Sequence, residues 1–267
     1  MIGNPIAHSK SPLIHKFWLE KLGLEGDYRA VRVEAAELPV YFGIRRADPN
    51  WRGCNVTAPL KLAVAAYLDE VHDFGIGAVN CIAWNEGRLT GRNTDVAGVG
   101  EALPARLETA APTCLIGAGG AARATMSLLE VLAVFQINVI SRDRSKGEAL
   151  LECLGQLGSA FTFDEAESAL AGSVGVINAT PLGMTGFPPM PETVLSGLAG
   201  VRPRGFALDM VYDPVRTEFL RRARRQWLAT SDGLTMLMGQ AADSFFHFFG
   251  ATAPRRYDRK LRRLLES

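Results

Sequence analysis

The sequence predicts an α/β protein whose larger part is a parallel sheet covered by helices on both faces. Three observations carry this. Between residues 113 and 231 short apolar strands alternate with helical segments, the pattern of βα units. A glycine-rich turn, Gly117-Ala118-Gly119-Gly120, sits between the first of those strands and the helix after it. With 267 residues, the chain also has room for a second unit ahead of that sheet.

The elements follow in order. Ser11 is an expected helix N-cap, with Pro12 at the first helical position and Leu13, Ile14, Phe17, Trp18 and Leu22 at helical spacing up to Gly23. Tyr28 to Val33 alternates like a strand, and a short helix starts near Pro39. Cys54 to Val56 is a short strand, and Pro59 to Leu68 has helical periodicity. Val79 to Trp84 and Arg88 to Gly91 form a hairpin around Asn85-Glu86-Gly87. Thr113 to Ile116, Ile137 to Ile140, Val174 to Asn178 and Phe206 to Met210 read as strands, with helices between them; the first of these helices runs from Ala121 to Ala133. Pro214 to Trp227 reads as a basic amphipathic helix, and the segments Asp232 to Phe249 and Arg255 to Leu265 read as the last two helices.

Composition excludes several function classes. Lysine and arginine total 29 against 28 aspartate and glutamate, so no basic surface for nucleic acid is expected. The apolar run from Val131 to Ile140 is too short for a membrane span and holds Gln136 and Asn138. Cys54, Cys81, Cys114 and Cys153 are far apart and form no CxxC pair, so neither a disulfide framework nor a metal site is expected. Gly3-Asn4-Pro5 follows the start directly, which makes the cytoplasm the expected compartment. The hydrolase patterns GxSxG and HExxH are missing.

Gly117 to Ala122 fits GxGxxA in a strand–turn–helix setting. Gly117 allows the tight turn, Gly119 lets backbone approach a pyrophosphate, and Ala122 lets helix and strand pack closely. The helix N-terminus adds free N–H groups and a positive dipole end. This is a dinucleotide site of the Rossmann type; Gly117, Ala118, Gly119, Gly120 and Ala121 are its expected contacts. The alternative is a ligand-free glycine turn. The next strand ends at Ser141 rather than at the acidic residue that holds a ribose 2′-OH. Arg142, Arg144 and Lys146 follow, and three cations suit the 2′-phosphate of NADP. A solvated basic turn is the alternative, and a shifted turn would bring Asp143 toward a 2′-OH. Asn178-Ala179-Thr180-Pro181-Leu182-Gly183-Met184 follows another strand. It reads either as a cofactor-facing loop or as an ordinary Gly/Pro loop.

Four polar clusters lie outside this region: Ser9-Lys10-Ser11-Pro12, Asn55-Val56-Thr57-Ala58-Pro59-Leu60-Lys61, Ala78-Val79-Asn80 and Asn93-Thr94-Asp95. Each alone reads equally as capping or turn formation. Within them, Lys61 can stabilise negative charge developing on a carbonyl oxygen and deliver a proton, and Asp95 can orient it. A cation in the first turn of a helix, as Lys61 is expected to be, is poorly placed on dipole grounds, which favours a functional role.

These strings, with Asn178-Ala179-Thr180 and Asp232-Gly233-Leu234 through Gln240-Ala241-Ala242, occur in one order along the whole chain, which closely resembles the shikimate dehydrogenase family. The resemblance implies NADP-linked interconversion of 3-dehydroshikimate and shikimate, in the biosynthesis of aromatic amino acids. It implies a substrate domain from residues 1–95 and 232–267, its C-terminal helices returning to it, and an NADP domain from 96–231. It implies Lys61 and Asp95 as the catalytic pair. Ser9 and Ser11 would bind the substrate carboxylate, and Asn55, Thr57, Asn80 and Gln240 the ring hydroxyls. Tyr212 would lie on the substrate side, and Thr180, Met210 and Gly233 with the cofactor. Cys81 stands where the family has Thr, and Lys16 where Asn is frequent. His8 and His15 are not needed as bases. Two other functions fit the same strings: a quinate/shikimate dehydrogenase using NAD through Asp143, and a non-catalytic regulator that binds NADP or shikimate. A small-molecule substrate and a monomer or homodimer are the expected partners and assembly.

Overall fold

A computed structural model describes residues 1–7, 9–72 and 75–266, and His8 lies outside them. The chain divides into two compact units, Met1–Ala97 with Met238–Ser267 and Gly98–Leu237.

In the first unit, β1 (Ile2–Gly3) leads to α1 (Ser11–Leu22), β2 (Val31–Arg32), α2 (Leu38–Arg46), β3 (Gly53–Asn55), β4 (Glu70–His72), β5 (Cys81–Asn85), β6 (Arg88–Arg92) and the start of α3 (Asp95–Ala102). A four-stranded sheet has the order β3-β5-β6-β4, with β5–β6 as the expected hairpin. β1 pairs in parallel with β2 and bridges to Val56. Ile2, Leu38, Phe42, Cys54, Val56, Leu60, Val64 and Ile82 form its core.

Several local expectations give way here. The strand read over Tyr28 to Val33 is paired only at Val31–Arg32, because β1 offers it just two residues. The N-cap of α1 is Lys10, with Ser11 already in the first turn. Pro59 to Leu68 is not an α-helix: tight turns lead into a 3₁₀ stretch, Val64–Tyr67, with Leu60 N–H bonded to Thr57 O and Ala63 N–H to Leu60 O. Leu60 and Val64 are both buried, so the apolar period was real, but it does not distinguish i+3 from i+4 bonding. The dipole argument for Lys61 falls with that helix.

The second unit begins inside α3 and continues with β7 (Thr113–Ile116), α4 (Gly120–Val131), β8 (Ile137–Ile140), α5 (Arg144–Cys153), β9 (Ala160–Phe161), α6 (Ala166–Leu170), β10 (Gly175–Asn178), α7 (Glu192–Gly197), β11 (Phe206–Asp209), α8 (Glu218–Arg225) and β12 (Ala229–Ser231). Its six strands are all parallel, in the order β12-β11-β10-β7-β8-β9. This is the doubly wound arrangement, and strand order reverses between β7 and β10. Side chains alternate as a sheet buried on both faces requires. Leu115, Ile137, Val139, Ile177 and Leu208 enter one core; Cys114, Ile116, Ile140, Val176 and Ala207 enter the other. α8 is shorter than the sequence suggested: Thr217 caps it by accepting from Leu220 N–H, which leaves Pro214 outside.

The chain ends with α9 (Gly233–Phe249) and α10 (Asp258–Glu266). Residues 232–237, expected with the first unit, belong to the second, where Met236 packs into the core. From Met238 onward the chain returns to the first unit, where Phe245 of α9 packs edge-on against the fully buried Trp18 at 5.6 Å.

Candidate active site

The first unit holds a buried polar network. Lys61 Nζ donates to Asp95 Oδ2 at 2.6 Å, and Asn80 Nδ2 donates to Asp95 Oδ1 at 2.7 Å. Asp95 is buried, while the Lys61 side chain keeps 17% of its surface exposed. Asn80 Oδ1 accepts from Thr94 N–H at 2.7 Å, which fixes the amide with its NH₂ toward the carboxylate. Capping of this segment falls to Asn93, whose Oδ1 accepts from Asp95 N–H. Asn80 and the Asp95 carboxylate are thus left for other work.

Asn55 belongs to the same network. Its Nδ2 donates to Asn80 O at 3.1 Å and to Ser244 Oγ at 2.8 Å, and its Oδ1 accepts from Tyr28 O–H at 2.5 Å. Both amide hydrogens are therefore engaged within the protein. Gln240 is buried, with Oε1 3.4 Å from Thr94 Oγ1. The Thr57 side chain is half-buried; its backbone N–H bonds to Ile2 O. Ser9 and Ser11 lie at the start of α1. Ser9 Oγ accepts from Ser11 N–H at 3.2 Å and contacts Met1 Sδ at 2.7 Å, and Ser11 is buried.

Thr94, Ser244 and Tyr28 are network members to which sequence reasoning gave no role. For Ser244 a signal existed: it lies four residues after Gln240, on the same face of α9. His15 stacks on Tyr28 at 4.0 Å and 2°, and neither ring nitrogen has a partner. Burial lowers its pKa to about 3, so the ring is neutral. Burial also pushes the Cys81 thiol well above its ordinary value, with Ser244 hydrogen-bonded to it.

In the second unit, Gly117 has φ +111°, and a Cβ there would lie 2.8 Å from Thr180 Cγ2. Only glycine fits. A Cβ at Gly119 would meet nothing within 4 Å, so backbone is open to a ligand at that point. Gly119 is the N-cap of α4, and no side chain caps that helix. Gly117 to Ala121 therefore present the open, positively polarised helix start that a pyrophosphate requires. The residues present fit a dinucleotide.

At the end of β8, Ser141 is buried and donates to Asp143 O at 2.6 Å. Asp143 caps α5, accepting from Ser145 N–H at 3.1 Å and from the Ser145 hydroxyl at 2.7 Å. Its Oδ1 thus caps the helix in this turn. Arg144 bonds Ala160 O and pairs with Glu165. Arg142 and Lys146 are exposed.

Asn178 shapes the loop after β10. Its Oδ1 accepts from Thr180 N–H and Oγ–H, and its Nδ2 donates to Asp209 Oδ1. Thr180 is half-buried and faces Gly117. Met210 and Tyr212 follow β11 and are half-buried; burial raises the Tyr212 pKa. Tyr212 lies in the second unit, outside the Lys61 network. Gly233 answers a packing demand, since a Cβ there would lie 2.4 Å from Met210 O.

Asp209 is fully buried and accepts from Thr217, Asn178 and Val211. Desolvation still prevails and raises its pKa from 3.8 to about 6. Between those values the folded form holds a proton that the unfolded chain has lost. Stability therefore falls as pH rises through this window, by about 3 kcal/mol in all. Asp209→Asn is expected to flatten that slope. Urea unfolding at pH 4, 5, 6 and 7 checks it, and parallel curves for the two proteins would refute it.

Comparison with known proteins bears on this geometry. Residues 1–82 match the model of the shikimate dehydrogenase substrate binding domain. A shikimate dehydrogenase (NADP(+)) of Sphingopyxis alaskensis is 45% identical over 268 residues, covering 99% of this chain and 95% of that protein. The chain belongs to the shikimate dehydrogenase family. Among solved structures, shikimate 5-dehydrogenase from Thermus thermophilus in complex with NADP(H) and shikimate matches with a TM-score of 0.84 and 36% identity, covering 99% of this chain and 97% of that one. Shikimate 5-dehydrogenase from Listeria monocytogenes, in complex with shikimate and NAD, matches with a TM-score of 0.87 and 32% identity, covering 98% and 94%. Shikimate dehydrogenases thus match both units, and no helix among the described residues is long and apolar enough to cross a membrane.

Proposed function

We propose that this chain is an NADP-dependent shikimate dehydrogenase, which reversibly reduces 3-dehydroshikimate to shikimate in aromatic amino-acid biosynthesis. The observation that carries the reading is the Lys61–Asp95–Asn80 network in a chain that also carries an open glycine-rich helix start. The nicotinamide, when bound, supplies the hydride. As hydride reaches the carbonyl carbon, the C=O π bond breaks and its electron pair moves to oxygen. Lys61 Nζ stabilises that charge and hands its proton to the oxygen; in the reverse direction it takes the hydroxyl proton back. Asp95 orients the ammonium, and Asn80 holds the carboxylate in place. Ser9, Ser11, Asn55, Thr57, Asn80 and Gln240 bind the substrate in this reading, with Tyr212 on the substrate side. Arg142 and Lys146 take the 2′-phosphate.

The alternative use of NAD needs an acidic group at the end of β8, and the one carboxylate there caps α5. The four free thiols suit a reducing cytoplasm, and the chain is read as a monomer or homodimer. Initial rates of shikimate oxidation with NADP and with NAD, repeated with quinate, test the reading. A strong preference for shikimate with NADP is expected. Comparable rates with NAD or quinate would move the chain to a relaxed-specificity enzyme. NADP binding without turnover of either compound would make it a regulator.

A further inference from the structure

Ser244 is fully buried on α9, and its hydroxyl meets three oxygen and nitrogen groups besides the Cys81 thiol. It lies 3.0 Å from Gln240 O, 2.8 Å from Asn55 Nδ2 and 2.9 Å from Thr94 Oγ1. A hydroxyl has one hydrogen and two lone pairs. Gln240 O is an acceptor only, so it takes the hydrogen. Asn55 Nδ2 is a donor only, so it takes one lone pair. The other lone pair then receives the Thr94 hydrogen. In this assignment the Thr94 hydrogen goes to Ser244, the nearest of its three acceptors at 2.9 Å, ahead of Asn80 Oδ1 at 3.1 Å and Gln240 Oε1 at 3.4 Å. Thr94 in turn donates its backbone N–H to Asn80 Oδ1, and Asn80 gives its NH₂ to Asp95. Ser244 is thus linked to Lys61 through Thr94, Asn80 and Asp95, by hydrogen bonds that are buried up to the part-buried Lys61–Asp95 pair.

We infer that Ser244 is a positioning residue for the Lys61–Asp95 pair, acting through Thr94 and Asn80 and fixing Asn55 at the same time. This rests on the proposed function, and on a physical point: a buried polar network specifies geometry only while every member is satisfied. Without the Ser244 hydroxyl, one Asn55 hydrogen has no acceptor there, and the Thr94 hydroxyl is free to turn its hydrogen toward Asn80 Oδ1, 3.1 Å away. Asn80 would then be held differently, and with it the carboxylate that orients the ammonium.

The test uses the full chain carrying Ser244→Ala, Ser244→Thr, Thr94→Val, and Ser244→Ala with Thr94→Val. With shikimate and NADP, Ser244→Ala is expected to lower kcat about tenfold, the scale of a small misplacement of reacting groups, and to leave the KM for NADP unchanged. Ser244→Thr, which restores the hydroxyl, should return kcat to within about threefold of wild type on the same argument. Thr94→Val should give a loss like that of Ser244→Ala, and the double variant should lose little more, because both act on one path. Thr94→Val also tests the path from its other end should Ser244→Ala fail to fold. A folded Ser244→Ala protein with wild-type kcat, or losses that add in the double variant, would overturn the inference; a lowered melting temperature with kcat retained would make the role structural only. The side-chain amide signals of Asn80 in ¹⁵N-labelled protein give a readout independent of turnover. They should shift in Ser244→Ala, and unchanged Asn80 signals would overturn the positioning role. A wild-type chain inactive on shikimate with NADP would overturn the proposed function, and the Asn80 signals would still decide the positioning role.

Discussion

Replacing Lys61 by alanine is expected to lower turnover about a thousandfold, the middle of the range for losing a general acid–base group, while NADP still binds. The reason lies in what else could move the proton. Among the described network members, Asn55, Asn80, Thr94, Gln240 and Ser244 are neutral polar groups, Tyr28 donates its hydroxyl to Asn55 and is held neutral by burial, and Asp95 already accepts from Lys61 and Asn80. Lys61 is the only cation in the network. The glycine turn and α4 belong to the other unit and do not depend on the ammonium. Steady-state rates beside a fluorescence titration of NADPH separate the two properties. A variant that turned over like wild type would remove Lys61 from the chemistry.

Asp95→Ala should be more damaging still, because stability is lost as well as turnover. The aspartate side chain is 5% exposed and that of Lys61 17%, so removing the carboxylate strands a largely buried ammonium and leaves the Asn80 NH₂ without its acceptor. Breaking one side of a buried pair costs about 3–5 kcal/mol, and the partial exposure of Lys61 places this case near about 3 kcal/mol. Urea unfolding would show it as a lowered midpoint. The signature is in the double variant: Lys61→Ala with Asp95→Ala should be more stable than Asp95→Ala alone, since the stranded charge has gone. If the double variant were the less stable of the two, the cost would lie in packing rather than in an unpaired charge.

Much of the second unit could be read in the sequence because its constraints are local. Gly117 must be glycine for reasons contained in one turn and the loop beside it. The alternation of Cys114, Leu115 and Ile116 between two cores is written in adjacent letters. The role of Asp143 was harder to read: a cap and a ribose ligand ask for the same residue type at nearly the same place, and only the backbone at Asp143, with Ser145 two residues on, decides between them. Likewise Leu60 and Val64 sit at a spacing that serves a 3₁₀ stretch as well as an α-helix. The network around Lys61 was legible residue by residue but not as a network. Tyr28 read only as part of a strand, and Ser244 offered only its spacing of four residues from Gln240, which does not name its partners across the chain. Their roles arise from side chains that meet across long stretches of chain, and periodicity does not report such meetings.

The hydrogen bond between Asn55 and Ser244 spans 189 positions, and Thr94 reaches 150 positions to the same serine. The second unit, by contrast, is one uninterrupted stretch, Gly98–Leu237. Synthesis from the N-terminus therefore finishes the sheet of the second unit before the ribosome has made Ser244. A domain whose chain is already complete can fold as a unit, whereas the first unit has to wait for its last 30 residues, Met238–Ser267. Until then the segments bearing Lys61, Asn80 and Asp95 exist without the helix that closes their network. The network around Lys61 is thus closed only after the whole of the second unit has been made, although Lys61, Asn80 and Asp95 all precede that unit in the chain.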